Sequence, residues 1–458
     1  MPPVLRRTAP GALVLAVVLA GCAAPPVEER PAVPVPAAWS QPAPARPGAV
    51  YPQPGWWRAF GSAELERLVA AAQRNNPDLE AAGERIAQAM AQARAARAGL
   101  FPSLQGSVDV SRSLRSGRAP LDDIALDLDV AYEVDLWGKN RMIARAADET
   151  TAASVYDRQA AALSLVAAVA TTYFRILSLD DRLASAREIL AIAEQILTLV
   201  EDQARIGVVS DLEVTEQRSA VATLRAQVPA LARQRQESLD ALAALLGTTP
   251  GALHIEAGTL AGIVVPAVAA GLPAPPPARR PDLRRAEAAL AAARADAAAA
   301  RAALFPTISL TAGGGTASDA LQALFTPESL SAAVAASLLA PIFDAGRLAG
   351  QHQQAEARAR ELVAAYRSAV ITAFREVEDA LAAVRYLAEA DRAQRDAAAQ
   401  ARRAYDLAAV RYRAGLVDFL TVLNAQTVVF QQQDALAQTE LARLTAAVDL
   451  FKALGGGW

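Results

Sequence analysis

Residues that could do chemistry are few in this chain, and their spacing points away from catalysis. Only two histidines occur, His254 and His352, and only one cysteine, Cys22. No serine sits in a nucleophile elbow and no glycine loop has the spacing that cradles phosphate, so no catalytic residue, metal ligand or cofactor site is assigned. Neither histidine is given a role. Cys22 is different because of where it stands. Arg6 and Arg7 precede an apolar run from Gly11 to Leu19, and the run ends in Leu19-Ala20-Gly21-Cys22. A basic start, a short apolar core and small residues before the cut make a secretory signal, too short for a membrane span.

The ending of that signal resembles the lipobox of bacterial lipoproteins, which implies cleavage before Cys22 and lipid on the new amino terminus. Ala23, rather than an aspartate, follows the cysteine, and by the same resemblance this favours transfer to the outer membrane. Residues 1–21 are thus read as signal peptide. Residues 22–55, crowded with proline and alanine, are read as an extended lipidated tether.

What the chain would hold in place is a pair of rods. Gly138 and Gly207 are 69 residues apart, and so are Gly346 and Gly415. Neither interval contains a proline, and apolar residues recur at steps of three and four: Ile189, Ile192, Ile196 and Leu199 in the first, Val370, Phe374, Val377, Leu381 and Val384 in the second. This is a coiled-coil pattern, and at about 1.5 Å per residue each rod reaches roughly 100 Å. Each ends at a glycine and is followed by a returning helix. A second duplication precedes the rods: NPDLEAAGERIAQAM from Asn76 matches RPDLRRAEAALAAAR from Arg280. The domain reading is a first repeat over 56–247, with a hairpin at about 103–133 and long helices over 138–246. A linker follows at 248–279. The second repeat covers 280–458, with a hairpin at about 307–339 and long helices over 346–454.

The hairpins carry the other informative pattern. Ile124, Leu126, Leu128, Val130 and Tyr132 alternate with Asp123, Asp127, Asp129 and Glu133. A period of two over about ten residues gives a strand with one oily and one wet face. Such strands suit a half-buried soluble sheet or a transmembrane barrel. Four strands cannot close a barrel and lipid tolerates no open edge, so a membrane reading needs several chains to pool strands; two give a filled interior, three leave a lumen. A formal charge of −3 and a pI near 5.7 offer no reason to bind nucleic acid.

Taken together, Trp56-Trp57 with Phe60, Asn76-Pro77-Asp78-Leu79, Leu100-Phe101-Pro102, Tyr132-Glu133-Val134-Asp135-Leu136-Trp137-Gly138, Gly207 to Leu212, Arg280-Pro281-Asp282-Leu283, Pro341 to Arg347 and Gly415 to Gln426 resemble the outer-membrane efflux protein family. The likeness is to its TolC-like and OprM-like exit ducts, in the lipoprotein branch. The resemblance implies a mainly α chain with a small β part, a homotrimer, a twelve-stranded barrel and a long α-helical barrel across the periplasm. It implies a periplasmic adaptor and an inner-membrane pump, usually of the resistance-nodulation-division class, as partners. Function is then passive exit of small molecules, with no enzyme activity and no cofactor. A coiled-coil lipoprotein without a channel and a duct for polypeptide secretion are the alternatives. By matching position, the resemblance places a gate at the helix turns, with helix-turn glycines Gly207 and Gly415 and candidate residues Tyr412, Glu213, Asp211, Asp418, Asn424 and Thr421. The last two stand where some relatives carry acids. Capping of the following helix is the plainer role for Ser210, Glu213 and Asp418. Asp127 and Asp129 are expected to face and hydrate the lumen.

Overall fold

The computed structural model describes residues 31–41, 52–114, 116, 121–271 and 280–457, and Cys22 with the rest of the signal lies outside them. Seven α-helices and four strands follow in the order α1 (Ala63–Asn75), α2 (Pro77–Ala98), β1 (Ser103–Ser113), β2 (Leu121–Val134), α3 (Lys139–Arg205), α4 (Asp211–Leu245), α5 (Pro281–Ala302), β3 (Thr307–Ser318), β4 (Leu330–Leu339), α6 (Arg347–Arg413) and α7 (Phe419–Ala453). The chain is mainly helical with one small sheet. α3 and α6 are each 67 residues long, and α4 and α7 each 35. Two compact units result, one built from Arg85–Val155 with Arg285–Ser368, the other from Val33–Glu84, Tyr156–Arg284 and Ala369–Trp458.

The first unit contains the sheet, antiparallel in the order β1-β2-β3-β4. Its register puts the alternation to use. Leu104, Val108 and Val110 of β1 lie opposite Val130, Leu126 and Ile124 of β2, and Leu310 and Ala312 of β3 lie opposite Tyr132 and Val130. One face is therefore almost wholly apolar, and it is uncovered: Leu128 is 58% and Val334 87% exposed. Gln105, Ser107, Asp109, Asp123, Asp127 and Asp129 occupy the other. Where the chain leaves the sheet for α3, Asp135 accepts hydrogen bonds from the backbone N–H groups of Asn140 and Arg141, each at 3.0 Å, and so caps the rod. Asp344 does the same for α6 through Leu348, at 3.0 Å. Trp137 stacks on Phe305 at 4.9 Å and donates to the Pro306 carbonyl at 2.7 Å. These contacts give the Asp-Leu-Trp-Gly, Phe-Asp-Ala-Gly and Leu-Phe-Pro motifs their physical meaning.

The second unit holds the main core. Phe60 is fully buried, Trp56 stacks on Phe451 at 4.9 Å, and both pack with Leu65, Leu68, Phe174 and Val448. Each such side chain contributes roughly 1.5–3 kcal/mol by leaving water, so the Trp-Trp-Arg-Ala-Phe stretch acts as an anchor for the bundle. Within residues 31–41, Trp39 is clipped to α6: its indole lies 5.9 Å from Phe374 and donates to the Gly271 carbonyl at 2.9 Å. Ser40 adds two bonds to the Glu378 carboxylate, at 2.8 and 2.6 Å.

The Asn-Pro-Asp-Leu and Arg-Pro-Asp-Leu motifs are two solutions to one problem. A helix that ends leaves carbonyls without partners. Asn76 donates to Leu245 at the end of α4, at 3.0 Å, and Arg280 donates to Ala453 at the end of α7, also at 3.0 Å. Arg280 reaches further, to Asp282 and Glu376, both at 2.7 Å. α4 contains Pro229 in its interior, where the ring removes one hydrogen bond of the helix ladder.

Candidate functional site

Glycine determines the form of the two turns. Gly207 has φ 78° and Gly415 φ 71°, the left-handed region that costs other residues strain. In the first turn the N–H of Gly207 donates to Ala204 O at 3.0 Å and that of Val208 to Gln203 O at 2.9 Å. In the second, Gly415 donates to Tyr412 O and Leu416 to Arg411 O, both at 2.9 Å. Both are Schellman closures, which satisfy the last carbonyls of the helix. The returning helices start differently. Ser210 and Glu213 form a capping box on α4, with the Ser210 N–H donating to Glu213 Oε2 at 2.7 Å. On α7 Asp418 caps alone, accepting from the Thr421 N–H at 2.9 Å and from its hydroxyl. The Thr421 bonds hold the Asp418 carboxyl below its ordinary pKa.

Tyr412 sits among Val200, Val214 and Phe419, with its ring 5.9 Å from that of Phe419. Its hydroxyl bonds Gln203 Oε1 at 2.8 Å, not Glu213, whose carboxylate is engaged with Ser210. Burial raises the Tyr412 pKa and the Glu213 charge raises it further, while each group has another bonded partner, Gln203 for Tyr412 and Ser210 for Glu213. Gln203 is the residue that sequence reasoning missed. Its signal was position, one turn before Gly207 as Tyr412 is one turn before Gly415. Asp211 lies in the first turn of α4, where its carbonyl accepts from Thr215. Asn424 is exposed on α7. Around the turns Ile206, Val208, Leu212, Leu416 and Leu420 are exposed apolar side chains.

In the first unit, the polar face of the sheet carries Asp127 opposite Ser107 and Gly315, and Asp129 opposite Gln105 and Gly313. Five carboxylates, of Asp109, Asp123, Asp127, Asp129 and Glu133, share this face with no basic residue of the four strands on it, since the one strand cation, Arg112, is on the apolar side paired with Asp122 at 2.6 Å. A sheet oily on one side and acidic on the other, joined to helices of 67 residues, is suited to a wet passage through lipid.

The sequence matches the family described as outer membrane efflux protein over residues 68–248 and 277–456. The chain belongs to the outer membrane efflux protein family. Among its relatives, the pyoverdine export outer membrane protein OpmQ of Pseudomonas aeruginosa is 41% identical over 415 residues, covering 88% of this chain and 87% of that one. Outer membrane protein OprJ of the same organism is 37% identical, covering 99% and 97%. The open state of the MtrE outer membrane channel of Neisseria gonorrhoeae superposes with a TM-score of 0.86 at 30% identity, covering 95% of this chain and 98% of that one. The efflux family consists of channel proteins, and this member is an outer-membrane efflux channel, an exit duct rather than a scaffold.

Proposed function

We propose that three copies of this chain pool their sheets into a twelve-stranded barrel and carry small organic molecules out of the cell. A periplasmic adaptor and an inner-membrane pump of the resistance-nodulation-division class serve as partners. The observation that carries this is the sheet. It has two open edges, β1 and β4, an uncovered apolar face and an acidic opposite face, and lipid admits such a sheet only when it is closed. Two relatives named for pyoverdine export and toluene efflux support small molecules as cargo. Acylation of Cys22 provides a second anchor, since one chain of lipid binds marginally and several bind stably. The gate lies at the Gly207 and Gly415 turns, where Tyr412 and Glu213 sit between neighbouring helices, with Asp211 and Asp418 as the acids nearest the entrance.

Leu128→Arg tests the barrel. On the lipid face near mid-bilayer it should cost about 2–4 kcal/mol and deplete trimer from the outer membrane, whereas Asp127→Asn on the wet face should leave trimer intact. Equal behaviour of the two variants would reverse the assignment of faces. Incorporation of labelled fatty acid into wild type but not Cys22→Ala tests the anchor.

A further inference from the structure

The glycines of β3 are unexplained by strand formation, because glycine weakens a strand and a run of three is costly unless something approaches closely. The structure shows what approaches. A Cβ on Gly313 would stand 2.6 Å from Asp129 Oδ1, with the next atoms at 3.7 and 3.9 Å. A Cβ on Gly315 would overlap Asp127 Oδ1 and also the Leu126 carbonyl. Both carboxylates are thus folded sideways from β2 over the bare backbone of the neighbouring strand. Gly314, which points to the oily face, has only ordinary contacts, Ser331 O at 3.5 Å and Ala332 Cβ at 3.8 Å. Beyond the glycines the wet face stays small, with Ala333 opposite Gly313 and Ser331 opposite Gly315. At those two levels nothing larger than serine stands on β4 to push the carboxylates back.

We propose that Gly313 and Gly315 are berths that hold Asp129 and Asp127 flat against the wall, and that they thereby set the clearance of the duct at this level. The inference rests on the three-chain barrel, in which each berth recurs three times around the lumen. A side chain at 313 leaves Asp129 with one escape, a rotamer that projects away from the wall, because the β1 side is occupied by Gln105 in register. Charge is unchanged by such a substitution; only the position of the carboxylate moves. The two glycines are therefore residues that govern passage without touching the pump, the adaptor or the gate.

Thiol access from outside the cell tests this independently of the periplasmic gate. Ala131, on the wet face one layer farther from the β1–β2 connection than Asp129, is replaced by cysteine. Intact cells are then treated with a small methanethiosulfonate or a bulky polyethylene-glycol maleimide. The chain without Ala131→Cys reports any labelling of Cys22. In the Ala131→Cys trimer both reagents should react. Adding Gly313→Val should slow the bulky reagent severalfold and spare the small one, Gly313→Ala should do so less, Gly314→Ala not at all, and Asp129→Ala in the Gly313→Val background should restore the rate. An unchanged bulky-reagent rate in Gly313→Val trimers, or a block that survives Asp129→Ala, overturns the berth. Should Gly313→Ala fail to assemble, recovery of trimer on adding Asp129→Ala supports it and no recovery overturns it. If the Ala131→Cys trimer resists even the small reagent, the lumen assignment itself fails, a result distinct from failure of the berth.

Discussion

The two repeats have helices of the same lengths, the same closing glycines and different side chains at nearly every joint. Arg235 of α4 and Arg443 of α7 occupy matching places, and each pins a buried aspartate. The partner is Asp180 of α3 in the first repeat and Asp391 of α6 in the second, one helical turn out of step. Asp391 has a second guanidinium, Arg395, at 3.1 Å, and Arg395 also engages Glu440. Asp180 instead takes the Gly258 N–H at 3.3 Å and Asp181 takes that of Leu260 at 2.9 Å, which ties down the inter-repeat segment. At the junctions Asn76 does with one amide what Arg280 does with a guanidinium and two carboxylates. The difference teaches that the duplicated geometry, and not the duplicated chemistry, is what the fold preserves. Each repeat reaches that geometry with residues fitted to its own neighbours.

If the pins differ as described, the largest effect belongs to the first repeat. Arg235→Ala leaves a buried carboxylate without its guanidinium and should cost about 3 kcal/mol, as for other broken buried pairs. Arg443→Ala should cost about half of that, because Arg395 remains. The dissociation temperature of the detergent-purified trimer measures both, and equal losses would show that Arg395 does not share the load. Next come the junctions. Arg280→Ala should cost about 2–3 kcal/mol through its charged hydrogen bonds, reduced by the partial exposure of its partners. Asn76→Ala should cost about 1–2 kcal/mol, since it removes both the bond to Leu245 and a side-chain cap that accepts from Asp78 and Leu79.

Acid sharpens the same contrast. Burial alone would raise the Asp282 pKa, but the Arg280 hydrogen bond and charge outweigh it and hold the carboxyl below its ordinary value. A carboxyl depressed in the folded state contributes stability above its unfolded pKa and loses it as pH falls through the folded pKa. The second junction should therefore weaken below the ordinary carboxylate range, while the Asn76 junction, whose bridging group is an amide, should not. Melting of wild type against Asp282→Asn across that range checks this; parallel curves would rule it out. Smallest is the cap at the tip. Ser210→Ala should lower stability by about 0.5–1 kcal/mol with little change in conductance. A large conductance change would make Ser210 itself part of the gate and not only a cap.

Much of this was legible in the sequence because periodicity survives without knowledge of neighbours. Alternation in Ile124–Tyr132 identified the two faces of β2, and equal glycine spacings identified rods of equal length. The joints were legible only as motifs. Nothing in Asn-Pro-Asp-Leu says that the asparagine closes a helix ending 169 residues later, because that contact depends on the return of α4. Gln203 and the berths at Gly313 and Gly315 were missed for the same reason: each is defined by a side chain from another element. Pro229 was visible but lay outside the rods on which the reading rested. The Tyr412 and Glu213 pairing came from resemblance, and within one chain each residue has a different bonded partner.

The account stands or falls on conduction. Purified trimer in a planar bilayer should conduct weakly as wild type and more strongly as Tyr412→Phe with Glu213→Ala, which removes the proposed closing contact. Gln203→Ala alone serves as the control for loss of the bond within one chain. A trimer that inserts but conducts in neither form would contradict the assignment of this protein as an exit duct.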